Sequence, residues 1–150
     1  MHPKLNFPQT ELKTSGDDIW DPLRKKYVRL TPEEWVRQHM IRYLSDHLGY
    51  SFGLMASEHK VTYAGGSKRC DIVGFDNTAE VLFIVECKAP DVPLSNDTLQ
   101  QIAKYTRVLQ ASLLILTNGL KHYCARIQQD GNLVFLDAIP SREEVRNLIG

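Results

Sequence analysis

The sequence is poor in cysteine: three residues in 150, at positions 70, 87 and 124. Three separated thiols make no disulfide framework, and a zinc site needs closer ligand pairs. Each falls in or beside an apolar strand pattern, where a reduced thiol behaves as a small hydrophobe. No run approaches the roughly 18 apolar residues that span a bilayer. The opening MHPKLNFPQTELK has no signal-peptide core, so the cytoplasm is the expected location. Neither sign of charge dominates, with Lys+Arg 18 against Asp+Glu 18. A binder relying on global charge is disfavoured, and any nucleic-acid contact must use a local patch. Internal repeats and low-complexity tracts are missing. So is a G-x-x-x-x-G-K-[ST] phosphate loop, which AGGSKR at 64–69 does not fit.

What is present is one domain's worth of alternating patterns. Residues 1–30 read as an irregular extension packed on the domain, with a short edge strand at 25–30. Thr31, Pro32 and Glu34 then form a helix start of the T-x-x-E type. Val36, Met40, Leu44 and Leu48 recur every four residues beside Ile41, and Gly49 closes the helix. Strands are predicted at 54–63, 69–75 and 81–88, joined by Gly65-Gly66 and Asp76-Asn77 turns. A helix starting at Ser95-Asn96-Asp97 runs to about 110, with Leu99, Ile102, Ala103, Thr106 and Leu109 inward. Further strands follow at 112–117, 121–127 and 133–136, before a short helix that Ser141 caps with Glu144 at its third position. Short turns make the first three strands an antiparallel meander. The helical crossover makes the next pair parallel. The expected fold is α/β: a mixed sheet (helix, three-strand antiparallel meander, helix, strand) with helices on its faces, over 31–150.

One stretch contradicts its surroundings. The apolar run Val81-Leu82-Phe83-Ile84-Val85 ends in Glu86-Cys87-Lys88. Charges at the end of a core strand are costly unless paired, hydrated or bound to metal. Glu86 and Lys88, two apart, share a face. Antiparallel pairing brings Asp71, an acid in the apolar RCDIVGFD strand, toward Glu86. Two carboxylates offer hard oxygen ligands to Mg²⁺ or Mn²⁺, which activates water and polarises a phosphate. A lysine beside them can orient that water and offset developing charge. A structural ion pair between Lys88 and either acid accounts for the same spacing, and both readings stand on these residues alone.

The ordered set RCDIVGFD, VECKAP, QQIAKY and LILTNG resembles the PD-(D/E)XK nuclease superfamily. Together with TPEEWVRQHMIRYL, it resembles the N-terminal nuclease domain of type I restriction enzyme R subunits, over roughly residues 31–127. The resemblance implies a restriction-endonuclease-like sheet, Asp71 and Glu86 as metal ligands for Mg²⁺ (or Mn²⁺), and Lys88 as the catalytic lysine. It also implies a role for Gln101 and Tyr105, which match a Q-x-x-x-Y motif; four apart on a helix, they stack on one flank. An acid on the leading helix belongs to the pattern. Glu33 shares the wheel face of Val36, Arg37 and Met40 and is preferred, Glu34 being occupied by the capping box; Glu58 is a further candidate. Cys70 stands where the motif has proline.

The implied function is a metal-dependent DNA endonuclease domain of the type I R-subunit kind without the motor, either an excised domain or a stand-alone relative. DNA is the implied partner, with other restriction-system subunits and a homodimer as further candidates. The alternative is a non-catalytic nucleic-acid-binding or assembly module on the same scaffold; a purely structural ion pair in an interaction domain is a third reading. Arg24-Lys25-Lys26, Lys68-Arg69 and Lys104 with Arg107 are candidate phosphate contacts, each equally readable as a solvated charged turn or face. Lys68-Arg69 stands out for its position just before Asp71. The five histidines show no ligand spacing; His59 and His122 alternate with apolar residues in strands.

Overall fold

Two layers of helix cover a mixed sheet in the structure, a computed structural model that describes residues 2–149. Met1 and Gly150 lie outside the described residues. The main sheet has six strands in chain order: β4 (Met55–Tyr63), β5 (Gly66–Phe75), β6 (Val81–Cys87), β7 (Leu113–Thr117), β8 (His122–Ile127) and β9 (Leu133–Leu136). β6 and β7 run parallel, and every other neighbouring pair is antiparallel. The parallel pair is joined through helix α2 (Asn96–Tyr105), as a crossover requires. β7 is buried throughout and β6 nearly so, the signature of central strands covered on both faces.

Helix α1 (Pro32–Asp46) starts where Thr31 accepts the Glu34 N–H at 3.0 Å. Its Val36, Met40, Ile41 and Leu44 are fully buried against Ile72, Val85 and Ile115. Each such side chain contributes about 1.5–3 kcal/mol relative to exposure. Helix α3 (Arg142–Ile149) adds Val145 to the same face, and Ser141 and Glu144 exchange both bonds of a capping box. On the opposite face, Leu99 and Ile102 of α2 pack on Ile84, Leu114 and Leu116. α2 ends at Tyr105, earlier than its apolar spacing predicts. A single 3₁₀ turn at Arg107–Leu109 carries the chain on, and Gln110 is in the left-handed region.

The short edge strand expected at 25–30 is present as the last of three strands, and the reading of the extension as irregular is corrected over residues 14–29. β1 (Thr14–Ser15), β2 (Asp18–Asp21) and β3 (Lys26–Arg29) form a small antiparallel sheet. Strands this short carry too few residues to show period-two alternation. The chain before them touches the core through Leu5, which is buried, and through Asn6 N–H donating to the Gly119 carbonyl at 2.7 Å. α1 also ends before Gly49, at Asp46, with Gly49 at φ +81 in the turn that follows. All three cysteines are free and buried. Burial pushes the Cys70 and Cys124 thiols up to about 12. Among the described residues, no helix is long and apolar enough to cross a membrane.

Candidate active site

The site forms where β5 and β6 part. Their ladder runs to Ile72 opposite Val85, and the next position brings Asp71 to face Glu86. There a carboxylate replaces the backbone partner: the Cys87 N–H donates to Asp71 Oδ2 at 2.7 Å. The Lys88 N–H donates to the Thr117 carbonyl at 2.8 Å, which continues the β6–β7 pairing by one residue and fixes the base of the Lys88 side chain. Asn118 Nδ2 then ties the following loop by donating to the Val92 carbonyl at 2.8 Å. Sequence spacing alone left the register open, and the structure brings Asp71, Glu86 and Lys88 together.

Cations surround the pair. Lys88 Nζ lies 3.9 Å and Lys68 Nζ 3.8 Å from the same oxygen, Glu86 Oε1. From α1, Arg37 Nη2 lies 3.3 Å from Asp71 Oδ1, and Arg37 Nη1 donates to Glu58 Oε1 at 2.6 Å. Glu58 occupies the β4 position opposite Asp71, at φ +56. A left-handed non-glycine residue within a strand costs about 1–2 kcal/mol; here its carboxylate meets Arg37.

Burial, and then the negative charge of Asp71, push the Glu86 carboxyl up to about 7, against the pull of Lys68 and Lys88. Burial likewise raises Asp71, opposed by Arg37 and by the Cys87 N–H. Arg37 itself is held protonated: burial works against its charge, but Glu34, Asp71 and Glu58 outweigh it.

Two further residues named from sequence separate here. Tyr105, at the end of α2, enters the site. Its ring lies 4.4 Å from Lys68 Nζ and stacks on Tyr63 at 5.9 Å. Burial first and the Glu86 charge next raise its phenol, whose oxygen is buried without a hydrogen-bond partner among the described residues. Gln101 is exposed one turn earlier and has no hydrogen bond to the site among the described residues.

The placement of the α1 acids reverses the expectation from sequence. Glu33, preferred as the inward acid, is exposed, and Glu34 is buried. Helical side chains lean toward the N-terminus, so a first-turn residue on the inward stripe projects past the sheet. Arg37, one turn later, takes the space against Asp71. Only half of the Thr31–Glu34 capping box forms. The Glu34 carboxylate instead accepts from Arg24 Nη2 at 2.7 Å and Gln38 Nε2 at 3.0 Å and lies 3.4 Å from Arg37 Nε. Arg24 also pairs with Asp21, which is fully buried. Opposite charges therefore alternate from β2 to the site: Asp21, Arg24, Glu34, Arg37, Asp71. Sequence reasoning missed Arg37, although an arginine inside a buried stripe was the available signal.

Asp71 and Glu86 can supply carboxylate oxygens to a hard divalent cation. Glu86 Oε2 is buried with no hydrogen-bond partner among the described residues, an acceptor that such an ion would satisfy. The set is sparse: among the described residues, no three His, Cys, Asp or Glu side chains gather for a metal. Water and substrate oxygens would fill the remaining positions, as Mg²⁺ sites commonly arrange.

A mixed sheet whose central strand ends in Glu86-Cys87-Lys88, with Asp71 facing it from the neighbouring strand, is the arrangement of a PD-(D/E)XK-like nuclease domain. Residues 32–140 match the family described as type I restriction enzyme R protein N terminus (HSDR_N), and the chain belongs to that family. Among solved structures, a fragment of a proposed HsdR subunit of a type I restriction enzyme from Vibrio vulnificus YJ016 shares the fold at TM-score 0.56 and 18% identity. That match covers 79% of this chain and 25% of the other, so this chain spans about a quarter of that protein's length. A proposed nuclease of the DUF820 group from Anabaena variabilis ATCC 29413 matches at TM-score 0.49 and 12% identity, over 82% of this chain and 81% of that one. No curated protein matches the chain.

Proposed function

We propose that the chain is a metal-dependent DNA endonuclease domain that hydrolyses phosphodiester bonds. One observation carries the reading: Asp71, Glu86 and Lys88 converge at one sheet end, and Glu86 Oε2 is left buried without a partner. A bound Mg²⁺ or Mn²⁺ would supply Lewis acidity and an activated water at neutral pH. Asp71 and Glu86 would hold it. Lys88, its side chain about one-third exposed, faces both the Glu86 carboxylate and the solvent. Its ammonium would orient the attacking water and balance charge on the phosphorane-like transition state. Arg37 keeps the Asp71 carboxylate in position from beneath. Tyr105 contributes its ring beside the Lys68 ammonium. Membership in the R-protein N-terminal family supports DNA as the substrate and a restriction system as the setting.

Purified protein incubated with plasmid DNA and Mg²⁺ or Mn²⁺ tests the proposal. Nicking that disappears in Asp71→Asn and Lys88→Ala supports it; nicking that survives both substitutions overturns the residue assignment.

A second reading has one observation in its favour. Arg37 already faces Asp71, and two lysines already face Glu86, so the acids have counter-charges within the protein. A non-catalytic DNA-binding or assembly module would need no more. Salt-dependent DNA binding without divalent-dependent cleavage identifies that case.

A further inference from the structure

We propose that Lys68 is a second cation of the site, seated on the ring of Tyr105, and that it binds a backbone phosphate of the DNA beside Lys88. This rests on the nuclease reading of the site and adds to it the group that receives the substrate strand.

Lys68 belongs to neither the Asp71, Glu86-x-Lys88 set nor the Gln101–Tyr105 pair. Its β5 backbone is fixed in the ladder opposite Val61, which is buried. Its ammonium reaches the same oxygen as Lys88: 3.8 Å and 3.9 Å from Glu86 Oε1. Exposure is the deciding feature. The Glu86 side chain is 8% exposed, while Lys68 is 38% and Lys88 33% exposed. The lysines therefore form a rim above a buried acid, and an approaching anion meets two ammonium groups before it meets the carboxylate.

A lysine on a four-carbon stem is normally mobile. Here Nζ lies 4.4 Å from the Tyr105 ring centroid, and Tyr105 stacks on Tyr63 of β4. A cation–π contact biases the ammonium toward the ring and so toward the Glu86 carboxylate. This gives the ring of Tyr105 a task that its unpartnered hydroxyl does not explain. The Lys68–Glu86 pair, by contrast, is long and open to solvent, and such pairs add little to stability. Loss of Lys68 should leave the fold intact.

The test is binding of a duplex oligonucleotide by fluorescence anisotropy across a salt series, with Ca²⁺ in place of Mg²⁺. Each phosphate neutralised contributes about 0.9 to the slope of log K against log salt. Lys68→Gln is expected to weaken binding several-fold and to flatten the slope by about that amount. Lys68→Arg keeps both. Tyr105→Leu weakens binding as Lys68→Gln does, while Tyr105→Phe, which keeps the ring, binds with the wild-type slope. Unchanged affinity and slope in Lys68→Gln overturn the proposal. Plasmid cleavage by the wild-type protein separates the two readings. Cleavage with wild-type binding in Lys68→Gln removes Lys68 alone; a lost slope without any cleavage keeps the phosphate contact and removes the nuclease.

Discussion

The Arg37 guanidinium, carried by α1, lies 3.3 Å from the Asp71 carboxylate on β5 and also reaches Glu34 and Glu58. One buried arginine thus joins the leading helix to the acid most exposed to misplacement, since Asp71 sits just past the last rung of its ladder with β6. Removing one partner of a buried charge network leaves uncompensated charge, at a cost of about 3–5 kcal/mol. Arg37→Met is expected to lose that much in urea denaturation. A loss below about 1 kcal/mol would show that the network is solvated in solution.

Glu34 and Glu33 are adjacent in sequence and should differ sharply. Glu34→Gln weakens contacts to Arg24 and Arg37 in a buried setting, with an expected loss of about 1–3 kcal/mol. Glu33→Gln, at an exposed position, should stay within about 0.5 kcal/mol. Chemical denaturation of the two variants side by side checks the inward and outward assignment.

The site predicts an unusual pH response in metal-free protein. The Glu86 carboxyl is pushed up to about 7 in the fold from an ordinary 4.5. The folded state therefore holds this proton more tightly than the unfolded state. The stability it contributes is full below 4.5 and is lost as pH rises through about 7. His39 and His122, both lowered by burial, act in the opposite sense and destabilise the fold as pH falls through their ordinary 6.5. Subtracting the Glu86→Gln profile from the wild-type profile reports the titration of the Asp71–Glu86 pair. The difference should favour wild-type protein at pH 5 relative to pH 8 by an amount on the order of a few kcal/mol. A flat difference contradicts the burial of Glu86 between Asp71 and the lysines.

Gly74 supports the sheet beneath the site. A Cβ there would stand 2.1 Å from the Phe83 ring, which is 1% exposed. The β5–β6 register also shifts at this point. Gly74→Ala must displace a core aromatic, and overpacking of this kind costs about 1–3 kcal/mol. A thermal melt of the variant gives the answer, with the expected direction a lower midpoint.

The legible part of the site was the part that violated a pattern. Asp71, Glu86 and Lys88 stood out because charges interrupt apolar strands, and strand alternation says which residues share a face. The helix caps at Thr31 and Ser141 and the parallel crossover through α2 were equally readable, since each depends on local spacing. Arg37 was visible in the stripe of α1 but not assignable: a helical wheel gives direction, not how far along the axis the sheet extends. The same limit misplaced Glu33. Lys68 lies three residues before Asp71 in sequence, but its convergence with Lys88 on one oxygen depends on where β5 and β6 separate. Of the small sheet only β3 was legible, as the edge strand at 25–30; β1 and β2 were not, because two- and four-residue strands carry no period.

Diffraction from crystals soaked in Mn²⁺, recorded for its anomalous signal, tests the divalent site most directly. The account predicts a peak within coordinating distance of both the Asp71 and Glu86 carboxylates, with Lys88 Nζ nearby, and loss of that peak in Asp71→Asn. Saturating Mn²⁺ that leaves no density between the two acids would contradict it.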